Sequence, residues 1–254
     1  MCIFPRSWKG AHGNAFMREN KYTALILKKQ PLGEADEIIT FFTKEAGKLR
    51  ALAKASKAAT SKLQYSLQPL FLCKIILAGN HTLPKVIESV VLNSFRNLRA
   101  NPKLLSAWYV VAELLLKATA DAQKNAPLFQ LCQDYLTYLD ANDISANQLS
   151  VSLTKFKIHF LANLGLNIHS PKIPEGEKQL FFSSVRGGFY YGLVSADAVA
   201  VSAETWADYK KLCDANFSEV PKLALNSEAI IKLVNSFLVY QLERELKSEK
   251  FFST

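Results

Sequence analysis

Cysteine is scarce in this chain, and the four present, Cys2, Cys73, Cys132 and Cys213, lie far apart with no CxxC pair among them. That spacing argues against a dithiol redox site, a cysteine-held metal or a disulfide scaffold, and reads as reduced, buried small hydrophobes in a cytoplasmic protein. The histidines His12, His81, His159 and His169 are equally isolated. His159, beside Phe160 in a helical pattern, reads as a surface or satisfied core residue. The phosphate loop GxxxxGK[ST] and the GxGxxG, HExxH and GxSxG motifs are all missing, so no enzyme, metal or cofactor is predicted. No apolar run approaches the roughly 20 residues of a membrane span, so a membrane is not an expected partner. Met1 to Phe16 carries Arg6 and Lys9 without an apolar h-region or small-residue cleavage site, so a secretory signal is not expected. It reads as a loose N-terminal extension, or a mis-assigned start ahead of Met17. Internal repeats and low-complexity tracts are absent too.

What remains is an ordinary globular composition with an uneven charge. Of 254 residues, 49% are hydrophobic and 21% charged, and the formal net charge is +9. A chain of this length buries roughly three quarters of its unfolded surface, enough for one large core or two modest ones. Through Ala100 there are 16 basic residues against 6 acidic ones, and beyond it 15 against 16. A polyanion-binding face, if present, belongs to the N-terminal third.

That third also holds the closely spaced strand patterns. Tyr22 to Lys29, Glu37 to Thr43 and Lys48 to Lys54 are β-favouring runs separated by turns at Gln30-Pro31-Leu32-Gly33 and Glu45-Ala46-Gly47. Leu70 to Ala78 and Val86 to Phe95 follow a lysine-bearing segment. Five strands in about 75 residues is the size of an OB-fold barrel. Asn101-Pro102 then marks a boundary. Apolar residues at spacings of three and four predict helices over Leu104 to Ala118, Pro127 to Asp140 and Asn147 to Leu164, the last capped by Gly165. Proline, glycine and aromatics between Leu166 and Val201 predict a small β-hairpin or knuckle. Helical pattern returns at Ser202 to Cys213 and over Asn226 to Ser248, with Asn226 or Ser227 as N-cap. The expected architecture is α+β: an extension over 1–16, an OB-fold domain over 17–100, and a helical domain over 101–254 with a β-rich insertion at 166–201.

The candidate chemistry is basic. Alternation along the third strand puts Lys48, Arg50 and Lys54 on one side and Leu49 on the other. Lys54, Lys57 and Lys62 then continue through a run of Ala, Ser and Thr. Small hydroxyl residues among lysines suit phosphate oxygens, while the ammonium groups displace counterions. Lys28 and Lys29 at the end of the first strand, and Tyr65, extend the candidate DNA-binding set. Phe41, Phe42, Tyr65 and Phe71 are open to two readings, base stacking or core packing. Glu34, Asp36 and Glu37 could hold a divalent cation or form a solvated loop, and the loop is the preferred reading.

At these residues the chain resembles the bacterial DNA repair protein RecO family. The segments that carry the resemblance are Leu27 to Ile39, Phe42 to Lys48, Ala53-Lys54 through Ser61-Lys62-Leu63, Leu67 to Leu70, and Glu243 to Ser248. The resemblance implies an N-terminal OB-fold, a helical C-terminal domain and a part in recombinational repair. It also implies binding of single- and double-stranded DNA, strand annealing, and work with RecR to load RecA on DNA coated by single-strand-binding protein, whose C-terminal tail is a further implied partner. A nucleoid-associated location follows from the same likeness. Two departures stand out. Many relatives carry a four-cysteine zinc knuckle where Leu166 to Val201 here has no cysteine. Zinc is therefore not expected, and Ser183 to Phe189 reads as the remnant of the knuckle, held by aromatic packing. Where relatives often have Lys-Gly and arginines, this chain has Lys54-Ala55 and lysines, which favours sequence-independent binding. The alternatives are an RNA-binding OB protein of translation or ribosome assembly, and an adaptor whose basic barrel docks an acidic tail.

Overall fold

A computed structural model describes residues 19–58, 61–79, 83–171, 179–192, 194–223, 225, 227–243 and 245–248. The expectations for Met1 to Phe16 and for an Asn226 cap lie outside that set. Strands β1 (Glu19–Leu32), β2 (Asp36–Thr43), β3 (Gly47–Ala53), β4 (Leu72–Ala78) and β5 (Lys85–Asn93) close into a barrel in the order β1-β2-β3-β5-β4, with helix α1 (Lys62–Ser66) between β3 and β4. This is the OB-fold expected from the strand spacing.

β1 is long because it serves two neighbours, pairing with β4 over Glu19 to Leu25 and with β2 over Ala24 to Leu32. An irregularity between Ile26 and Lys28 shifts the register. The turn expected at Gln30 to Gly33 falls later, at Gly33 to Ala35, and Pro31 sits in the strand opposite Glu37. Proline is tolerated there because the tip of β1 pairs on one side only.

Residues inside the barrel include Ala24, Ile26, Ile39, Phe41, Ala51, Cys73 and Ile75, all buried. The outward-facing Leu25, Leu27, Phe42 and Leu72 are buried as well, because they join the helical core. Burial on both faces explains why β1 and β2 read as continuous apolar runs rather than an alternating pattern.

The helices are α2 (Arg96–Ala100), α3 (Pro102–Ala118), α4 (Ala126–Ala141), α5 (Ala146–Asn163), α6 (Ala203–Asp214) and α7 (Ser227–Leu242), with a 3-10 turn at Phe217–Lys222. Side chains cap four of them: Asn101 accepts from Lys103 N, Asn125 from Leu128 N and Ser202 from Thr205 N, and Ser145 with Gln148 forms a capping box. Gly165 and Leu166 donate backward to Ala162 O and Leu161 O, closing α5.

α5 lies at the centre, and even its polar residues Ser152, Thr154, Lys155 and Lys157 are buried. Each lysine is satisfied: Lys155 Nζ donates to Leu212 O at 2.9 Å and Cys213 O at 3.2 Å, and Lys157 Nζ to Asn235 Oδ1 at 2.8 Å. α7 stops at Leu242 rather than reaching Ser248. Glu243 adopts φ 51°, and the chain returns to bury Leu246. Lys247 N and Ser248 N donate to the Glu113 carboxylate at 3.0 and 2.8 Å, an attraction that competes with continued helix. Among the described residues no helix is long and apolar enough to cross a membrane.

The insertion forms a three-stranded sheet in the order β7-β6-β8, from β6 (Leu180–Ser183), β7 (Gly188–Tyr191) and β8 (Val199–Val201). Phe182 meets Phe189 edge-on at 5.0 Å, and Phe189 lies 4.8 Å from Tyr209 of α6. The turn is gathered by Asp197, which accepts from Ser183 Oγ, Val185 N and Ser195 Oγ. Those bonds, from Ser183 first, hold its carboxyl below the usual carboxylate range. Aromatic rings and one carboxylate thus hold the insertion together. The donors do not fit zinc: the segment has no thiol, and no cluster of three His, Cys, Asp or Glu suited to a metal occurs among the described residues.

Candidate nucleic-acid interface

Register across β1, β2 and β3 sets Lys28 opposite Thr40 and Thr40 opposite Arg50. Directly opposed residues share a face, so the two cations flank a buried threonine in one row across the barrel wall. Lys28 and Arg50 are exposed, and Thr40 is buried. The next row in one direction holds Phe42 and Lys48, under the helices. In the other direction it holds Ile38 and Leu52. Past Leu52 the chain runs to exposed Lys54 and then turns twice, with Ala58 N donating to Ala55 O and Ser61 N to Ala58 O. Lys57 Nζ donates to Gly33 O at 2.8 Å, tying this segment to the β1–β2 turn. Lys62 and Tyr65 stand exposed on α1, with Tyr65 at 70%. Lys28 and Arg50 thus share one face of the wall, and the bond from Lys57 to Gly33 O brings the Lys54-Lys57 segment to the β1–β2 turn that ends it.

Two of the candidate lysines are placed otherwise. Lys29 points into the mouth of the barrel, where its Nζ lies 3.1 Å from Glu37 Oε2. Ser56 Oγ donates to the same oxygen at 2.8 Å, so the three side chains plug the barrel end. Lys48 lies under the helices and its Nζ donates to Leu116 O at 2.9 Å and Thr119 O at 2.5 Å, with Asp121 Oδ1 at 3.5 Å. It thereby caps the C-terminus of α3, where free carbonyls and the helix dipole favour a cation.

The acidic run divides in the same way. Glu37 belongs to the plug, Asp36 Oδ1 accepts from Ala55 N at 2.8 Å, and Glu34 is exposed. Glu37 is therefore a core residue and not part of a solvated loop. Phe41, Phe42 and Phe71 pack in the cores, which leaves Tyr65 as the aromatic of that set open to a base. His159 is half-buried, and its Nε2 lies 2.9 Å from Lys155 Nζ.

Residues 17–95 match the family described as Recombination protein O N terminal, and residues 99–250 match Recombination protein O C terminal. The chain belongs to the RecO family. It is 28% identical to the DNA repair protein RecO of Pelotomaculum thermopropionicum over 248 residues, covering 92% of this chain and 94% of that one. The RecO of Myxococcus xanthus is 25% identical, covering 91% and 95% respectively. A higher identity, 34%, holds with the RecO of Thermodesulfovibrio yellowstonii over 118 residues, covering 46% of this chain and 47% of that protein. RecO membership agrees with the barrel-then-helices order described above.

Proposed function

We propose that this chain is a DNA-binding protein of recombinational repair whose barrel holds phosphates along Lys28, Arg50, Lys54, Lys57 and Lys62. The observation that carries the reading is the row Lys28–Thr40–Arg50 beside the lysine segment, while the neighbouring Glu37 carboxylate is buried and that of Asp36 is held by Ala55 N. A face of this kind attracts a phosphate backbone without reading sequence. Tyr65 beside Lys62 supplies a ring on which one base can stack, a contact worth about 1–3 kcal/mol per base.

Annealing follows from charge: a strand neutralised on this face repels a second strand less, and a complement can then zip onto it. Family membership supports a mediator role, with RecR, the tail of single-strand-binding protein and, through them, RecA as partners. No chemical step is required of the protein in this reading. Replacing Lys54, Lys57 and Lys62 together by Glu abolishes annealing and leaves the circular dichroism spectrum unchanged. Annealing at the parent rate by that folded variant would remove these residues from the interface.

A further inference from the structure

A cleft of about 420 Å³ opens where the barrel meets the helices, lined by Phe42, Gln123, Asn163, Leu164, Gln241 and Leu242. Its volume is in the range of small-molecule sites, about 300–1,000 Å³. Phe42 stands one side-chain row, roughly 7 Å, along β2 from the Lys28–Thr40–Arg50 row, so the cleft adjoins the proposed phosphate track. Its polar groups are amides. Asn125 and Asn163 use their Nδ2 on Asn163 O and His159 O. The Gln123 and Gln241 amides have no hydrogen-bond partner among the described residues.

The electrostatics sort what can enter. α3, α5 and α7 all end at the cleft, and although Gly165, Leu166 and Asn125 occupy carbonyls of α5, the negative end of each helix dipole disfavours phosphate there and favours an amino-bearing edge. Lys48 already covers the end of α3. On the rim, Lys124 is exposed next to Gln123 and can keep a phosphate outside. A planar base with an exocyclic amino group fits these conditions: Leu164, Leu166 and Leu242 offer apolar walls, and the Gln amides can pair with its edge as Gln pairs with adenine.

We propose that the junction cleft takes one unstacked base of a bound single strand, adenine or cytosine in preference to thymine, with its phosphate held outside at Lys124. This rests on the DNA-binding reading above. The test compares labelled homopolymeric dA, dC and dT oligonucleotides, by anisotropy, on the parent chain and on the Gln123→Leu/Gln241→Leu double variant. Loss of about fivefold in affinity for dA and dC with dT unchanged is expected, on the scale of one amide–base contact. Equal losses on all three, or none, overturn the cleft and leave the DNA reading intact, whereas absence of binding by the parent chain overturns both. As a check free of substitution, the parent chain binds the dA and dC strands more tightly than dT. Equal or tighter binding of dT overturns the proposal.

Discussion

The lysines of the barrel's outer end and those of the helical core are the same residue type in opposite situations. Lys28, Lys54 and Lys62 stand in solvent with no carboxylate partner among the described residues. Lys48 and Lys155 are drawn onto the C-terminal carbonyls of α3 and α6, where they replace water at helix ends that would otherwise be unsatisfied. A positive count therefore does not by itself mark a polyanion site. What marks one is positive charge that stays at the surface: Lys57 also donates to a carbonyl, Gly33 O, but remains half-exposed at the β1–β2 turn.

The largest effect expected is at the junction that keeps the two situations apart. Gly47 has φ 72°, and a Cβ there would overlap the Gln123 carbonyl oxygen. The backbone docks there too, Ala122 N donating to Lys48 O at 2.8 Å. Gly47→Ala should cost about 3 kcal/mol or more in thermal or denaturant unfolding, since both strain and backbone overlap must be relieved.

Next comes the direct exchange of roles. Lys48→Met should lower stability by about 1–3 kcal/mol, because two carbonyls lose a charged donor, and leave the salt dependence of DNA binding alone. Lys62→Met should do the reverse, with stability within about 0.5 kcal/mol of the parent and a shallower salt dependence. Matching behaviour by the two variants would dissolve the distinction.

A carboxylate in the helical domain offers a third probe. Burial raises the Glu113 pKa, but bonds from Lys117, from the Ser248 hydroxyl and from the backbone of Ser248 and Lys247 outweigh it and leave the group at about 2. Its folded value is depressed, so its contribution is complete above the ordinary carboxylate range and disappears as pH falls toward 2. Glu113→Gln should cost about 1 kcal/mol at neutral pH and expose the segment around Ser248 to protease.

The smallest effect concerns His159, whose pKa is lowered by burial and by the neighbouring Lys155 charge. The unfolded chain binds a proton near the ordinary histidine value while the fold resists it. Stability is thus full above about 6.5 and declines as pH falls through the lower folded value. His159→Gln should flatten that part of a melting-temperature profile between neutral and mildly acidic pH.

Much of the architecture was legible where local pattern decides it. Apolar spacing located α3, α4 and α5, and proline, glycine and aromatic content located the β6–β7 hairpin, because each buries one face or pairs with a near neighbour. It failed where length or distance intervened. α1, α2 and the 3-10 turn are too short for a period to register. The end of α7 is set by Glu113, more than a hundred residues away in sequence.

The site divides in the same way. Alternation put Lys48 and Arg50 on one face, and they do share it. Only the packing of α3 over one end of that face separates an engaged lysine from an exposed arginine. Tyr65 and Phe71 looked alike in the sequence, and their difference arises from α1 lying on the surface while Phe71 enters the barrel core. The Asp197 hub has no signal in its spacing from Ser183 and Ser195, since it exists only once the hairpin turns.

The central claim is that five barrel cations, exposed Lys28, Arg50, Lys54 and Lys62 and half-buried Lys57, meet DNA phosphates. Fluorescence anisotropy of a labelled single strand, titrated at several salt concentrations, tests it most directly. At about 0.7 per phosphate neutralised, Lys28, Arg50, Lys54, Lys57 and Lys62 predict a log–log slope of roughly −3.5, falling to roughly −2.8 in Lys62→Met and unchanged in Lys48→Met. A slope near zero, or one that falls only when Lys48 is replaced, would contradict the account.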